Sequence, residues 1–217
     1  ELRLEEAEHH HLRALELNPG SAEAHRRYAR LLLDLGRFDE LVLQLRRAVE
    51  LDPLSISYRL SLTSGLWFTG DYEGGIAEAQ KILELEPDNP GALYSLGFAS
   101  VLNGDTAQGF AALRRALEVR PEYPFNVTAL AWAYARAGRR AEALEMIDRV
   151  EPAGQMLKEL AIVYAELGEV NTAYEFLDRA YAEDPGSLTY INADPTADAL
   201  RSDPRFPAFL QQLGLEP

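Results

Sequence analysis

The chain has 217 residues, 47% of them hydrophobic and 26% charged, which is enough apolar material for a sizeable core. Its 21 basic and 35 acidic residues leave a net charge of -14, so the average field repels nucleic-acid phosphates and anionic lipid headgroups. The absence of cysteine excludes disulfides, a thiolate nucleophile and cysteine-ligated zinc, and the longest apolar runs fall far short of the roughly 20 residues of a membrane helix.

Ala, Leu, Glu and Arg dominate, so helix is the expected element throughout. The chain opens at Glu1, without methionine, in what reads as the second helix of a repeat. That start leads us to expect a piece of a longer protein. Further along, Pro19, Pro53, Pro87 and Pro121 recur every 34 residues, and Gly36, Gly70, Gly104 and Gly138 recur at the same spacing about half a period away. Proline cannot continue a helix and glycine tolerates the left-handed conformation that ends one, so each period reads helix, Gly turn, helix, Pro turn.

Within first helices, Tyr28 and Leu32, Leu62 and Leu66, Leu130 and Tyr134, and Leu160 and Tyr164 sit four apart on one face and are candidate core. Small residues hold a fixed phase beside them. They are Ala29, Gly97, Ala131 and Ala161 in first helices, and Ala7, Gly75, Gly109, Ala143 and Ala173 in second helices. Ala14, Ala48, Ala116 and Ala180 follow near second-helix ends, where small side chains let antiparallel helices approach closely.

The motifs Gly-Arg-Phe-Asp-Glu at 36–40, Gly-Asp-Tyr-Glu-Gly at 70–74 and Ala-Leu-Glu-Val-Arg-Pro at 116–121 resemble the tetratricopeptide repeat family. The resemblance implies an all-α, right-handed α-solenoid of stacked helix-turn-helix hairpins closed by a C-terminal capping helix. The expected division is a solenoid over 1–187 and a capping segment over 188–217. Within the solenoid, a half repeat at 1–21 precedes repeats at 22–55, 56–89, 90–123, 124–153 and 154–187. Gly138 and Gly168 are only 30 residues apart, and the loop at Glu151-Pro152-Ala153-Gly154 comes one turn early, so the second helix of that unit should be short. Ser100 stands where other repeats place Leu or Tyr, which lightens the core there. The tail, with Leu200, Phe206 and Phe209, resembles the segment that ends repeat regions of bacterial multidomain signalling proteins.

Chemistry is sparse. His9, His10 and His11 are adjacent, and consecutive helical residues point about 100° apart, so they cannot converge on one ion. His11 falls in a core phase, with His25 on the next helix as a potential neighbour. Glu5 and Glu8, like Glu142 and Glu145, lie on polar helix faces and read as solvated surface. No nucleophile-elbow or phosphate-loop pattern occurs, and Gly74-Gly75 reads as a turn-to-helix junction. The chain is therefore expected to be no enzyme and to carry no cofactor and no metal.

In this family the first helices line the concave side. The resemblance places Leu60, Ser64 and Trp67, then Tyr94, Phe98 and Val101, then Phe125, Thr128 and Trp132 on that groove, with Arg26, Arg30 and Lys158 towards its ends. Both tryptophans of the chain fall on it. An exposed apolar strip rich in aromatic residues suits a partner, whereas a tight superhelix or a tail folded over the groove would make the same residues internal packing. The family's Lys, Asn and Arg clamp for a carboxylate tail has no matching set here.

The expected function is a protein-protein interaction scaffold within a larger bacterial signalling or regulatory protein. Its partner would be an apolar-faced peptide segment, its own upstream domain or a second copy, with neither nucleic acid nor membrane involved. The alternative is a small-molecule sensor with an aromatic pocket. The expected compartment is the cytoplasm, or the periplasm if an upstream anchor exists.

Overall fold

The computed structural model describes residues 2–150 and 154–215, so the loop at Glu151 to Ala153 lies outside the described residues. The elements are α1 (Leu2–Leu17), α2 (Ala22–Asp34), α3 (Phe38–Leu51), α4 (Ile56–Phe68), α5 (Tyr72–Leu85), α6 (Pro90–Leu102) and α7 (Thr106–Val119). There follow α8 (Pro124–Arg136), α9 (Arg140–Ile147), α10 (Leu157–Glu166), α11 (Val170–Glu183), a 3-10 turn (Pro185–Leu188), α12 (Asp198–Arg201) and α13 (Phe206–Gln212). The architecture is all-α, of the α-solenoid class, and α2 with α3, α4 with α5, α8 with α9 and α10 with α11 pack as hairpins. The chain forms two compact units, residues 1–95 and 96–217, whose boundary falls within α6.

Helix ends follow from local chemistry. Asp52, Glu86, Arg120 and Asp184 each precede a proline, whose ring disfavours the α region for the residue before it. All four leave helical geometry in the same way, with φ between -150 and -133 and ψ between 79 and 87. At the opposite turn Gly36 has φ 68, which a side chain would strain. The following amide, Arg37 N–H, donates back to the Leu32 carbonyl at 2.9 Å, closing the helix end. The same bond closes α4 from Asp71 to Leu66, α8 from Arg139 to Tyr134 and α10 from Glu169 to Tyr164.

The first helices α2, α4 and α6 begin on caps at one phase, whereas α8 and α10 have no side-chain cap. The amide of Ala24 donates to Ser21 Oγ at 3.2 Å, Tyr58 to Ser55 Oγ at 3.4 Å and Ala92 to Asn89 Oδ1 at 3.0 Å. Helix α9 spans 8 residues where α3, α5, α7 and α11 each span 14, matching the shortened spacing between Gly138 and Gly168.

The four-residue core pairs are buried, apart from Tyr164, which is half-buried and stacks on Phe176 with ring centres 5.3 Å apart. The small residues in phase are buried too, except Ala7 and Ala14 in α1. Helices α6 and α7 approach closely. A Cβ on Gly97 would stand 2.5 Å from Leu113 Cγ, and one on Gly109 would stand 2.4 Å from Val101 Cγ2. Ser100 is fully buried but not merely light, since its hydroxyl lies 2.6 Å from the Leu96 carbonyl and 2.7 Å from Gln108 Oε1.

One ion pair in the first unit is buried. Glu78 of α5 accepts from Arg59 of α4, and the same guanidinium donates to the Pro53 carbonyl at 3.0 and 2.8 Å, tying the hairpin to its proline turn. Desolvation pushes the Glu78 carboxyl up, yet hydrogen bonds from Lys81 and Arg59 together outweigh it and hold the group below its ordinary value. In the second unit the tail buries Leu188, Ile191, Leu200, Phe206 and Phe209, and α12 packs on α10.

Glu78→Ala should cost about 3–5 kcal/mol, because Arg59 loses its buried counter-charge, whereas Glu50→Ala on the exposed pair with Arg47 should cost under about 1 kcal/mol. The Glu78 contribution, coming from a depressed carboxyl, is present above about pH 4.3 and fades as pH falls below it. Urea denaturation at pH 7 and pH 3.5 measures both effects, and the gap between wild type and Glu78→Ala should narrow at the lower pH. Leu200→Ala, at a position with no exposure, should cost about 2–5 kcal/mol in the same assay.

Candidate functional site

In the first unit, neighbouring first helices α4 and α6 present a row of apolar side chains that remain partly accessible. Leu60, Ser64, Trp67 and Tyr94 are each half-buried. The rings of Trp67 and Tyr94 sit 5.9 Å apart and tilted at 59°, a favourable edge-biased arrangement. Leu60 leans on Gly91, whose missing side chain leaves room, since a Cβ there would lie 3.2 Å from both Leu60 methyl carbons. Ser64 Oγ donates to the Leu60 carbonyl at 3.2 Å, which keeps its polar atom against the helix backbone.

The second unit differs from the expectation of an accessible groove. Phe98, Val101, Thr128 and Trp132 are buried, at 8, 5, 3 and 3% exposure, and stand as interior packing rather than surface. The reason lies in α8, where every residue from Asn126 to Ala135 is buried. Phe98 and Trp132 pack ring to ring at 5.2 Å, and the Arg136 guanidinium lies 5.7 Å from the Trp132 ring. Arg136 in turn reaches Glu166 of α10 at 3.6 Å. The corresponding face of α10 is occupied by the tail, for Lys158 Nζ lies 3.3 Å from Asp194 Oδ2 and Ile162 is 4% exposed. Burial pulls the Lys158 ammonium down, but Asp194 and Glu159 outweigh it and raise it overall, whereas burial dominates at Glu166 and pushes its carboxyl up. Phe125 is the exposed member of this group at 42%, with its ring tilted against Tyr123 at 5.5 Å.

The histidines divide by role. His9 and His10 are exposed, while His11 is half-buried and stacks on Tyr28 at 6.1 Å. His25 faces Gln44 Oε1 at 2.7 Å and the Pro19 carbonyl at 3.1 Å, not His11. Among the described residues no group of three or more His, Cys, Asp or Glu is placed to hold a metal ion. Glu8 departs from its reading as solvated surface. It accepts from the Tyr28 hydroxyl at 2.8 Å and from Arg37, and these bonds hold its carboxyl below the ordinary range. Glu142 likewise accepts from Arg139, at 2.6 Å.

Charge is segregated in a way that marks the three middle first helices. Helices α4, α6 and α8 contain no aspartate or glutamate, although the chain as a whole carries 35 acidic residues. This signal is legible in residues 56–68, 90–102 and 124–136, and periodicity alone passes over it. Among the described residues no helix is long and apolar enough to cross a membrane.

The family model for the tetratricopeptide repeat matches residues 2–56, 64–127 and 128–187. The chain belongs to the tetratricopeptide repeat family. Among solved structures it is similar to a thermophilic repeat protein of Thermus thermophilus, at 19% identity and TM-score 0.67 over 83% of this chain and 100% of that one. It is similar to PilW, a type IV pilus biogenesis factor, at 21% identity and TM-score 0.65, covering 86% of this chain and 88% of the other. It also resembles YrrB, described as a repeat protein with an unusual peptide-binding site, at 20% identity and TM-score 0.51 over 84% and 96% of the two chains. These likenesses establish the fold. No curated protein matches the chain.

The two tryptophans should separate on replacement. Trp132→Ala should cost about 3–5 kcal/mol, as for a large buried ring, and unfold the protein about as severely as Leu130→Ala. Trp67→Ala should cost clearly less. Guanidinium denaturation of the three variants side by side gives the comparison.

Proposed function

We propose that this chain is a protein-protein interaction scaffold whose first unit holds an apolar strip of a partner polypeptide against Leu60, Ser64, Trp67 and Tyr94. The observation that carries the reading is the half-buried Trp67 and Tyr94 pair, set beside Leu60 on adjacent first helices that contain no acidic residue. Trp and Tyr are the residue types that dominate binding hot spots, because they bring large area at low cost in side-chain entropy. Family membership supports the scaffold role, and the description of YrrB supports a peptide as the class of occupant. The resemblance of the tail to the ends of repeat regions in bacterial signalling proteins supports a place within a regulatory protein.

A small-molecule sensor receives less support. The cleft between α2 and α4 has a volume of about 260 Å³, under the roughly 300–1,000 Å³ of small-molecule pockets, and the larger hollows, about 420 Å³ beside Phe38 and Phe68 and about 370 Å³ beside His11 and Arg27, include neither Trp67 nor Tyr94.

Peptides selected from a displayed random library against the whole chain provide the test, with affinities then read by fluorescence anisotropy. Trp67→Ala and Tyr94→Ala should each weaken selected peptides about thirtyfold, or about 2 kcal/mol, while Phe125→Ala should leave them unchanged. Selected peptides that bind both variants as tightly as wild type would remove the assignment.

A further inference from the structure

One phase of the repeat is filled by a large ring in some first helices and left small in another. Ser64 precedes Phe98 by 34 residues and Trp132 by 68, and both rings are buried where they stand. At Ser64 there is no ring. The next residue, Gly65, is equally reduced where the same phase holds Ala99 and Ala133. A cleft of about 260 Å³ opens at this place between α2 and α4, with Leu41 and Leu45 of α3 as its floor. Gly65 is packed hard against that floor, since a Cβ on it would stand 2.6 Å from Leu41 Cδ2 and 2.9 Å from Leu45 Cδ1. The space is the one left by Ser64, at a phase where α6 and α8 carry an aromatic side chain.

The rim is cationic. Arg26 and Arg30 of α2 border the cleft, and α4 on the other side has no acidic residue. Arg26 is fixed in place by Glu23, which receives its Nε and Nη2, each at 2.8 Å, and also receives Arg27 Nε at 2.7 Å. Those bonds, from Arg26 first and Arg27 second, hold the Glu23 carboxyl down to about 2, so the cluster keeps its charges at any physiological pH. Three arginines thus share one glutamate and Asp34, and Arg30 stays 68% exposed with Asp34 3.6 Å away, beyond hydrogen-bonding distance. On a chain of net charge -14 this is a locally positive rim over an apolar floor.

We propose that this cleft is an anchor site for one large apolar side chain of a partner peptide, a phenylalanine or leucine flanked by carboxylates. The anchor supplies to α4 the ring that α6 and α8 carry themselves, and the flanking acids pair with Arg30 and Arg26. A charge-assisted bond from the exposed Arg30 guanidinium fixes the direction and register of the peptide, while the buried ring supplies most of the hold. The assignment deepens the scaffold reading and rests on it.

The probes are three fluorescein-labelled decapeptides titrated with the whole chain at 50 mM and 300 mM salt. One has a central Phe between Glu and Asp residues, one has Ser in place of Phe, and one has Lys in place of the acids. The acidic Phe peptide should bind, more weakly at higher salt, and either change to it should cost tenfold or more. Ser64→Phe should fold with an unchanged or raised melting temperature, since Phe98 holds that phase, and should lose tenfold or more in affinity for the acidic Phe peptide. Arg30→Glu, on an exposed side chain, should do the same without touching the core. No binding of that peptide, equal binding by Ser64→Phe, or equal binding of the Lys peptide overturns the anchor site. If the peptide binds Ser64→Phe normally but fails on Trp67→Ala, the scaffold reading stands and the anchor falls. If it binds both normally, both fall.

Discussion

The residue before the proline that follows a second helix is where this structure takes its measure. Asp52, Glu86 and Arg120 would continue their helices on propensity alone, but the ring of the next residue disfavours the α conformation, and all three turn out with nearly the same backbone angles. With glycine ending the other helix of each pair, hairpin length is set by backbone sterics rather than by side-chain packing. Every later feature inherits that ruler. Buried alanines and glycines meet in register, leucine pairs find the same holes, and the inner-face positions of successive first helices recur 34 residues apart.

Because the scaffold is regular, small departures from it have local and readable effects. Removing one turn between Gly138 and Gly168 shortens α9 to 8 residues without disturbing the glycine turn that starts it. Replacing a leucine by Ser100 does not leave a hole, since Gln108 and the Leu96 carbonyl meet the hydroxyl. The buried Arg59 and Glu78 pair shows the same economy, because one guanidinium serves both a carboxylate and a proline-turn carbonyl. Such a pair is favourable only while fully bonded.

The same inner-face phase behaves in opposite ways in the two units. In residues 96–217, Phe98 and Trp132 pack against each other, Arg136 bridges towards Glu166, and the tail lies on α10 through Lys158 and Asp194. Tail and rings together complete an interior. In residues 1–95, Ser64 leaves space, Trp67 and Tyr94 remain half-buried, and arginines stand at the edge. On the scaffold reading proposed above, recognition falls to the unfilled stretch.

The family, the hairpin order, the positions of the turns and nearly all core pairs are legible in the sequence, because Pro and Gly act on the backbone of their immediate neighbours and helical periodicity is a local property. The short α9 is legible for the same reason. Which inner-face residues are accessible was not, since Trp67 and Trp132 both fall on the inner side of their helices in sequence, at the phases of Val101 and Phe98 respectively, and what packs on each is not written there. For Trp132 the neighbours include Phe98, 34 residues back on another helix. Glu8 looked like any surface carboxylate, and only the arrival of Tyr28 and Arg37 from the next hairpin makes it a half-buried partner. Sequence by itself determined this protein's elements and their spacing, through short-range sterics and hydrogen bonding. Tertiary structure alone decided which apolar faces are covered, because burial is a property of neighbours brought together from distant parts of the chain.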